Sequence, residues 1–319
     1  MNRNIKIIIF AMAIIIAIVG VAFALSSNKN NDKDGKLNIV TTTFSTYDFA
    51  RQIAGDKANV TYLLGPGVDA HSYEPSAADL VKIQNADVFI YIGGEMESWT
   101  NKVFESNTLD ISKTVVLKVT DIVDTIEEAE VDGAEAEDEE EEEGAFDEHI
   151  WTSPNNAIKM LEYLNKKFGE LDSENKETYN KNTQKYIEEV KKVQAAIKKI
   201  VDNKKRDRLV FGDKMPMQYF LNEYGLKASA AFSGCSTETE PSAKTITYLV
   251  NKVREENIPV VLYIELSTGK TAKSIADETG TEALQIQTLH NISKDDFQKG
   301  ETYVSLMERN LEILKKALQ

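Results

Sequence analysis

Short apolar runs alternate with stretches of helical periodicity along the chain from Leu37 onward. Leu37–Thr42, Asn59–Leu64, Asp87–Ile92 and Val115–Val119 read as strands, the second closed by the turn formers Gly65-Pro66-Gly67. Between them Tyr47–Ala54 and Ser76–Asn85 read as helices, the latter with Ser76 as N-cap and Asp79 three positions on. Asn155–Phe168 is helical again, and then the pattern changes in kind. Ser173–Asn203 contains no Gly or Pro, and Tyr179, Tyr186, Val190, Val193, Ile197 and Val201 recur on one helical face. As one helix it would reach about 46 Å at 1.5 Å per residue. An ordinary surface helix accounts for the pattern, but the length favours a strut between two lobes. Strands at Arg208–Phe211, Lys227–Phe232, Val260–Ile264 and Ala283–Leu289 then alternate with helices at Met217–Tyr224, Ala243–Glu256, Thr271–Glu278 and Thr302–Leu318. No short fixed repeat is present, which disfavours a solenoid. The expected fold is α/β, with two similar βα lobes around central parallel-type sheets, joined by one long rigid helix. The lobes span 37–172 and 204–319, and the linking helix 173–203.

Composition changes this picture in one place. With 42% apolar and 28% charged residues the chain is a folded protein over most of its length. Its net charge of −15 is local, because Asp121–Glu148 holds sixteen acids and no Lys or Arg, and the remainder carries about +1. That body has no basic footprint, so nucleic acid is not an expected partner. The acidic stretch, bounded as 126–146, reads as a mobile, self-repelling loop inserted in the first lobe.

At the N-terminus Arg3 and Lys6 precede nineteen uncharged, mostly apolar residues, Ile7–Leu25. Ala22-Phe23-Ala24 fits a small-x-small cleavage site, so 1–25 reads as a signal peptide or, uncleaved, as a membrane anchor. Residues 26–36 form a flexible tether. The rest is expected outside the cytoplasm, at the cell surface, secreted or periplasmic. The single cysteine, Cys235, allows no internal disulfide.

The candidate chemistry lies at strand ends. His71 follows Asn59–Leu64, His149 follows Val115–Val119 across the acidic insert, Asp213 lies two residues past Arg208–Phe211, and His290 one past Ala283–Leu289. These are all three histidines of the chain, and open α/β sheets bind ligands just beyond the carboxyl ends of their strands. Two candidates come from each lobe, as closing two lobes over one ion requires. Three imidazoles and a carboxylate suit Zn2+, whereas an oxygen-richer set would suit Mn2+. Glu265, also past a strand, competes with Asp213 as ligand or orients a histidine; Cys235 is a further option for the third ligand. No paired-histidine helix, P-loop or dinucleotide fingerprint is present, so no enzymatic activity is expected.

These blocks resemble the zinc/manganese-specific solute-binding proteins of bacterial ABC transporters, from about Leu37 to Leu318. The resemblance is carried by VTTTFSTYDFARQIAGD, GPGVDAHSYEPSAADLVKIQNADVFIYIGG, DEHIWTSPNNA, VFGDKMPMQYFLNEYGL and ETYVSLMERNLEILKKAL. It implies two α/β lobes on a long connecting helix, an ion in the cleft between them, and His71 and His149 as ligands. It further implies a monomer that hands zinc to an ABC permease, with Mn2+ as the second choice of ion. The family's third ligand has no direct match in VFGDKMPM, where Gly212 or Asp213 lies nearest, and Asp213 is the expected ligand. The fourth, commonly acidic, position holds His290, which tilts the site toward zinc. Many relatives carry a lipid-bearing cysteine after the signal segment; here that region reads AFALSSNKN. The acidic insert stands where zinc-specific members often carry a histidine-rich loop, so deleting Glu127–Gly144 is expected to weaken metal uptake at low ion concentration. The competing expectation is an adhesion or interaction protein of the same fold with a structural metal.

Overall fold

Strand β3, Val88–Tyr91, is buried at all four positions, the signature of a parallel strand covered on both faces by helices. It pairs in parallel with β1 (Leu37–Thr41) and β4 (Val115–Lys118), and β1 pairs with β2 (Ala58–Tyr62), giving the order β2-β1-β3-β4. Strands β5 (Arg208–Lys214), β6 (Lys227–Phe232), β7 (Val260–Ile264) and β8 (Glu282–Ile286) repeat the same plan as β6-β5-β7-β8, again all parallel. In each sheet the chain winds outward from its first strand and then crosses to that strand's other side. A crevice therefore opens at the carboxyl ends of β1 and β3, and of β5 and β7. The computed structural model describes residues 35–105, 110–129, 131–134, 146–234 and 240–319. The expected leader 1–25, most of the tether, the acidic run 135–145 and Cys235 lie outside these. No helix among the described residues is long and apolar enough to cross a membrane.

The expected strut is a continuous helix, Lys176–Asp202, about 40 Å long at 1.5 Å per residue. Its buried face carries the apolar residues of the sequence pattern, from Tyr179 to Val201, and packs on the helices Phe44–Ala54, Pro154–Leu171 and Tyr303–Leu318. Asp48 ties three of these together. Its Oδ1 accepts from Arg51 Nε at 2.7 Å, its Oδ2 accepts from the Tyr303 N–H at 2.8 Å, and the Tyr186 hydroxyl also donates to Oδ2. Ser76 and Asp79 form the expected capping box on Ala77–Gln84.

Two strand ends differ from expectation. β5 runs on to Lys214, with a register irregularity between Phe211 and Lys214, so Asp213 sits within the strand's last residues and not beyond it. β8 stops at Ile286, so His290 stands four residues past the strand, in a loop of its own. The polar Gln287 and Thr288 bond outside the ladder, Gln287 N–H to Asn310 Oδ1 and Thr288 N–H to Glu265. The short helices Trp99–Glu105 and Lys294–Lys299 carry too few periodic positions to be read from sequence.

The described parts of the acidic insert are anchored on the second lobe. The Ile126 N–H donates to the Tyr219 hydroxyl at 3.2 Å, and Gln218 bonds the Glu127 carbonyl and the Ala129 N–H. Asp132 pairs with β6 as an isolated parallel bridge to Ser229, and its carbonyl accepts from the Ala230 N–H at 3.1 Å. Its carboxylate accepts from Arg208 Nη1 at 2.9 Å, Ser229 Oγ at 3.1 Å and the Tyr248 hydroxyl. This cap covers part of the edge of β6, which would otherwise offer open backbone groups.

Candidate metal centre

His71 and His149 are built by the same local device, an aspartate two residues earlier. In Asp69-Ala70-His71 the Asp69 carboxylate accepts the His71 backbone N–H at 2.9 Å, and its Oδ1 stands 3.4 Å from His71 Nδ1. In Asp147-Glu148-His149 the corresponding distances are 2.7 and 3.0 Å. A carboxylate at Nδ1 keeps the proton there and leaves Nε2 with a free lone pair. Both Nε2 atoms are buried with no hydrogen-bond partner among the described residues. Buried polar atoms are rarely left so, and two imidazoles in this condition fit a site that holds a metal ion. The repeated Asp-x-His spacing is the sequence signal that would have found Asp69 and Asp147.

His290 is presented differently. Glu265, at the end of β7, accepts the Thr288 N–H at 2.7 Å, the Thr288 hydroxyl at 2.8 Å and the His290 N–H at 3.1 Å. Leu289 is held at φ +64°, a left-handed conformation that costs a non-glycine residue energy, and this turns His290 toward the cleft. Glu265 is thus fully engaged in shaping the His290 loop.

The two loops meet across the cleft. The Gly67 N–H donates to the Ile292 carbonyl at 2.9 Å and to Asn291 Oδ1 at 3.0 Å, while Asn291 Nδ2 donates to the Val68 carbonyl. Trp151, fully buried, donates from Nε1 to the Thr288 carbonyl at 3.0 Å and accepts the Tyr303 hydroxyl on its own carbonyl at 2.9 Å. These contacts bring the three imidazoles together, with ring centres 5.0 Å (His71–His290), 5.4 Å (His149–His290) and 5.8 Å (His71–His149) apart. Imidazoles bound to one tetrahedral zinc at roughly 2.0–2.1 Å would have ring centres about 5.2 Å apart. No three donors among the described residues yet stand as a closed ligand set. His290 Nε2 is turned onto Met96 Sδ, 3.0 Å away, so closing the set calls for a turn of that ring.

Asp213 is not brought into direct contact with the rings. It lines an adjoining cavity of about 410 Å³ together with Asp69, Glu265 and Lys214. Its Oδ1 accepts the Lys214 N–H at 2.9 Å, and its buried Oδ2 has no partner among the described residues.

Charges around the rings suit a cation. Burial and the neighbouring His71 and His149 push the His290 imidazole well below its usual range, keeping it neutral. Burial works the same way on His149, but the Asp147 and Glu148 carboxylates outweigh it and hold that ring above its usual value. Hydrogen bonding to His71 holds Asp69 well below the carboxylate range. A cation entering here meets the carboxylates of Asp69 and Asp147 and displaces at most a proton.

Beneath the site Glu97 is buried, and its Oε2 accepts the N–H groups of Ile92 at 2.7 Å and Gly93 at 2.8 Å. Burial pushes its carboxyl up to about 7; the Thr42 hydroxyl and the two N–H groups oppose the shift, and Glu148 adds to it. A carboxyl raised in the folded state binds its proton more tightly there than in the unfolded chain. Its cost to stability therefore grows as pH rises from its unfolded value near 4.5 to about 7. Glu97→Gln is expected to stabilise the protein by roughly 2–3 kcal/mol at pH 8 and to change little at pH 4. Denaturant melts at the two pH values check this, and equal effects at both would contradict it.

Comparison with known proteins agrees with this architecture. The model of the family described as zinc-uptake complex component A, periplasmic, matches residues 39–317. The zinc-binding lipoprotein AdcA of Streptococcus pneumoniae (strain ATCC BAA-255 / R6) is 34% identical over 306 residues, covering 96% of this chain but 60% of AdcA. The high-affinity zinc uptake system protein ZnuA of Bacillus subtilis (strain 168) is 30% identical, with 97% of both chains covered. The crystal structure of the Zn(II)-bound ZnuA-like domain of S. pneumoniae AdcA superposes with a TM-score of 0.74 at 34% identity, over 89% of this chain and 99% of that one. The chain thus spans 60% of the length of the AdcA relative.

Proposed function

The chain belongs to the family of the zinc-uptake complex component A, periplasmic, and on that premise we propose that it captures Zn2+ outside the cytoplasm and hands it to an ABC permease. The ion is bound in the cleft by Nε2 of His71 and His149, by His290 after its ring turns, and by Asp213 as the fourth donor. The observation that carries this reading is the convergence of three imidazoles at the spacing one tetrahedral ion imposes, two of them with buried, unpartnered nitrogens. A set dominated by imidazole favours zinc over manganese, which wants more oxygen. Four protein donors close the coordination sphere and leave no open position for substrate, so the protein is a carrier and catalyses nothing. Glu265 orients and Asp213 binds: Glu265 is already committed to Thr288 and His290, whereas Asp213 has an oxygen to spare. An adhesion or interaction protein of the same fold with a structural metal would use the same nitrogens, and membership of a zinc-uptake family is what favours the carrier.

Metal analysis of the purified protein by mass spectrometry tests the proposal. One zinc per chain is expected in the native protein, and far less than one retained through dialysis against a competing chelator in His71→Ala or His290→Ala. A native chain without measurable affinity for zinc contradicts it.

The acidic insert acts on the rate of capture. Because Glu127, Ala129 and Asp132 are bonded to the second lobe, a deletion from Glu127 would cut a structural strap as well as the acidic run. Removing only 135–144, with its eight acids, is expected to slow zinc association roughly tenfold at low salt while leaving the dissociation rate unchanged. Stopped-flow capture with a zinc fluorophore reads this, and an unchanged association rate would leave the run as a solvated loop.

A further inference from the structure

Met96 is the group that His290 meets where a metal would be expected. Its Sδ lies 3.0 Å from His290 Nε2. Met96 is 4% exposed, and its backbone is tied to the residue before His149. Its backbone N–H donates to Glu148 Oε1 at 2.8 Å, and Glu148 is the residue before His149. The turn Glu95–Glu97 that carries it follows Gly93 and Gly94, both at positive φ. A Cβ at Gly94 would stand 2.3–2.7 Å from the Glu148 side chain, so only glycine lets Glu148 reach the turn. Glu97 then clamps the same turn through the Ile92 and Gly93 N–H groups. The backbone of Met96 is therefore fixed beside the site, and its side chain is buried there.

A thioether is a poor hydrogen-bond partner for an imidazole nitrogen, and a leucine would fill the same space at no polar cost. What sulfur adds over leucine is a soft, polarisable donor. Soft sulfur donors suit Cu(I) as well as zinc, and imidazole suits both; exchanging the Asp213 carboxylate for a neutral thioether removes a charge that the divalent ion needs more than the monovalent one. We infer that Met96 is a further donor of this site, and that with the three imidazoles it gives the protein a second cargo mode, binding Cu(I) through nitrogen and sulfur. In the zinc mode His290 turns from Met96 and Asp213 supplies oxygen; in the Cu(I) mode the thioether takes the place of the carboxylate. The inference rests on the three-imidazole site proposed above.

The test is competition between the full chain and bicinchoninate for Cu(I), under anaerobic conditions with ascorbate, beside a zinc competition with a fluorescent chelator. Met96→Leu is expected to lose at least about tenfold in Cu(I) affinity and to change zinc affinity by less than about threefold. Retained zinc binding also reports that the variant folds. Copper K-edge absorption of the Cu(I)-loaded native protein is expected to show a sulfur neighbour that the variant lacks. Equal Cu(I) affinities, or a sulfur neighbour that persists in Met96→Leu and disappears in Cys235→Ser, would overturn the inference. So would equal losses for both ions, which would make Met96 a packing residue for His290. Failure of the site itself reads differently, as a native protein that holds neither ion.

Discussion

His149→Ala is expected to lower zinc affinity by about two orders of magnitude. Apparent binding free energies of closed protein zinc sites lie near 10–16 kcal/mol, so one of four ligands carries roughly 3 kcal/mol, or about a hundredfold. His149 should stand at the upper end of that share. It is 0% exposed, its ring is fixed by Asp147 at 3.0 Å, and it loses little freedom on binding. Asp147→Asn is the graded counterpart. It keeps the shape but removes the charge that holds the proton on Nδ1, and about tenfold is expected to be lost. Because His149 binds its proton above the usual imidazole range, zinc must displace that proton as pH falls, and affinity should decline on the acid side. In Asp147→Asn that decline should begin at lower pH, since the ring's main charged partner is gone. Calorimetric titration across pH in a non-chelating buffer measures all three. Alanine and native protein of equal affinity would remove His149 from the ligand set.

Glu265→Ala should have the largest effect on the fold of any single change at the site. The substitution strands the N–H groups of Thr288 and His290 and the Thr288 hydroxyl. Buried donors left without an acceptor cost about 1–3 kcal/mol each, partly relieved by water that enters. A net loss of about 3 kcal/mol is expected, lowering Tm by roughly 5 °C. Zinc affinity should fall tenfold or more as His290 loses its fixed approach. Glu265→Gln is not expected to rescue, because both carboxylate oxygens accept from backbone N–H groups and an amide would place its own N–H against one of them. Calorimetric melts with and without zinc check this. A Glu265→Ala protein that melts like the native one but binds no zinc would mean that Glu265 is a ligand.

The strand–helix alternation carried the fold because both sheets are parallel and their inner strands, such as β3 and β5, are largely buried and announce themselves as short apolar runs. The capping box of Ser76 and Asp79 and the long helix were legible for the same reason, since each is set by residues close in sequence. His71, His149 and His290 were legible by their rarity and by their place after strands. Legibility ends where a position depends on distant partners. Asp213 falls inside β5 because the strand continues through an irregular register with β6. Glu265 became a support because the turn at Leu289 brings Thr288 and His290 onto it. Met96 gave no signal at all, since its meaning comes from His290, 194 residues away. Asp132 looked like one more acid in an acidic run, yet its partners Arg208, Ser229 and Tyr248 are 76, 97 and 116 residues distant. Asp69 and Asp147 are the exception: the twin Asp-x-His spacing is local, and sequence alone held it.

In the zinc-loaded protein three imidazoles are expected to converge on one ion. Zinc K-edge X-ray absorption of the protein loaded with one equivalent of zinc reads it most directly. Four light-atom neighbours at about 2.0–2.1 Å, with the outer-shell scattering of three imidazoles, are expected. One imidazole or none, or a sulfur neighbour at about 2.3 Å, would contradict the account.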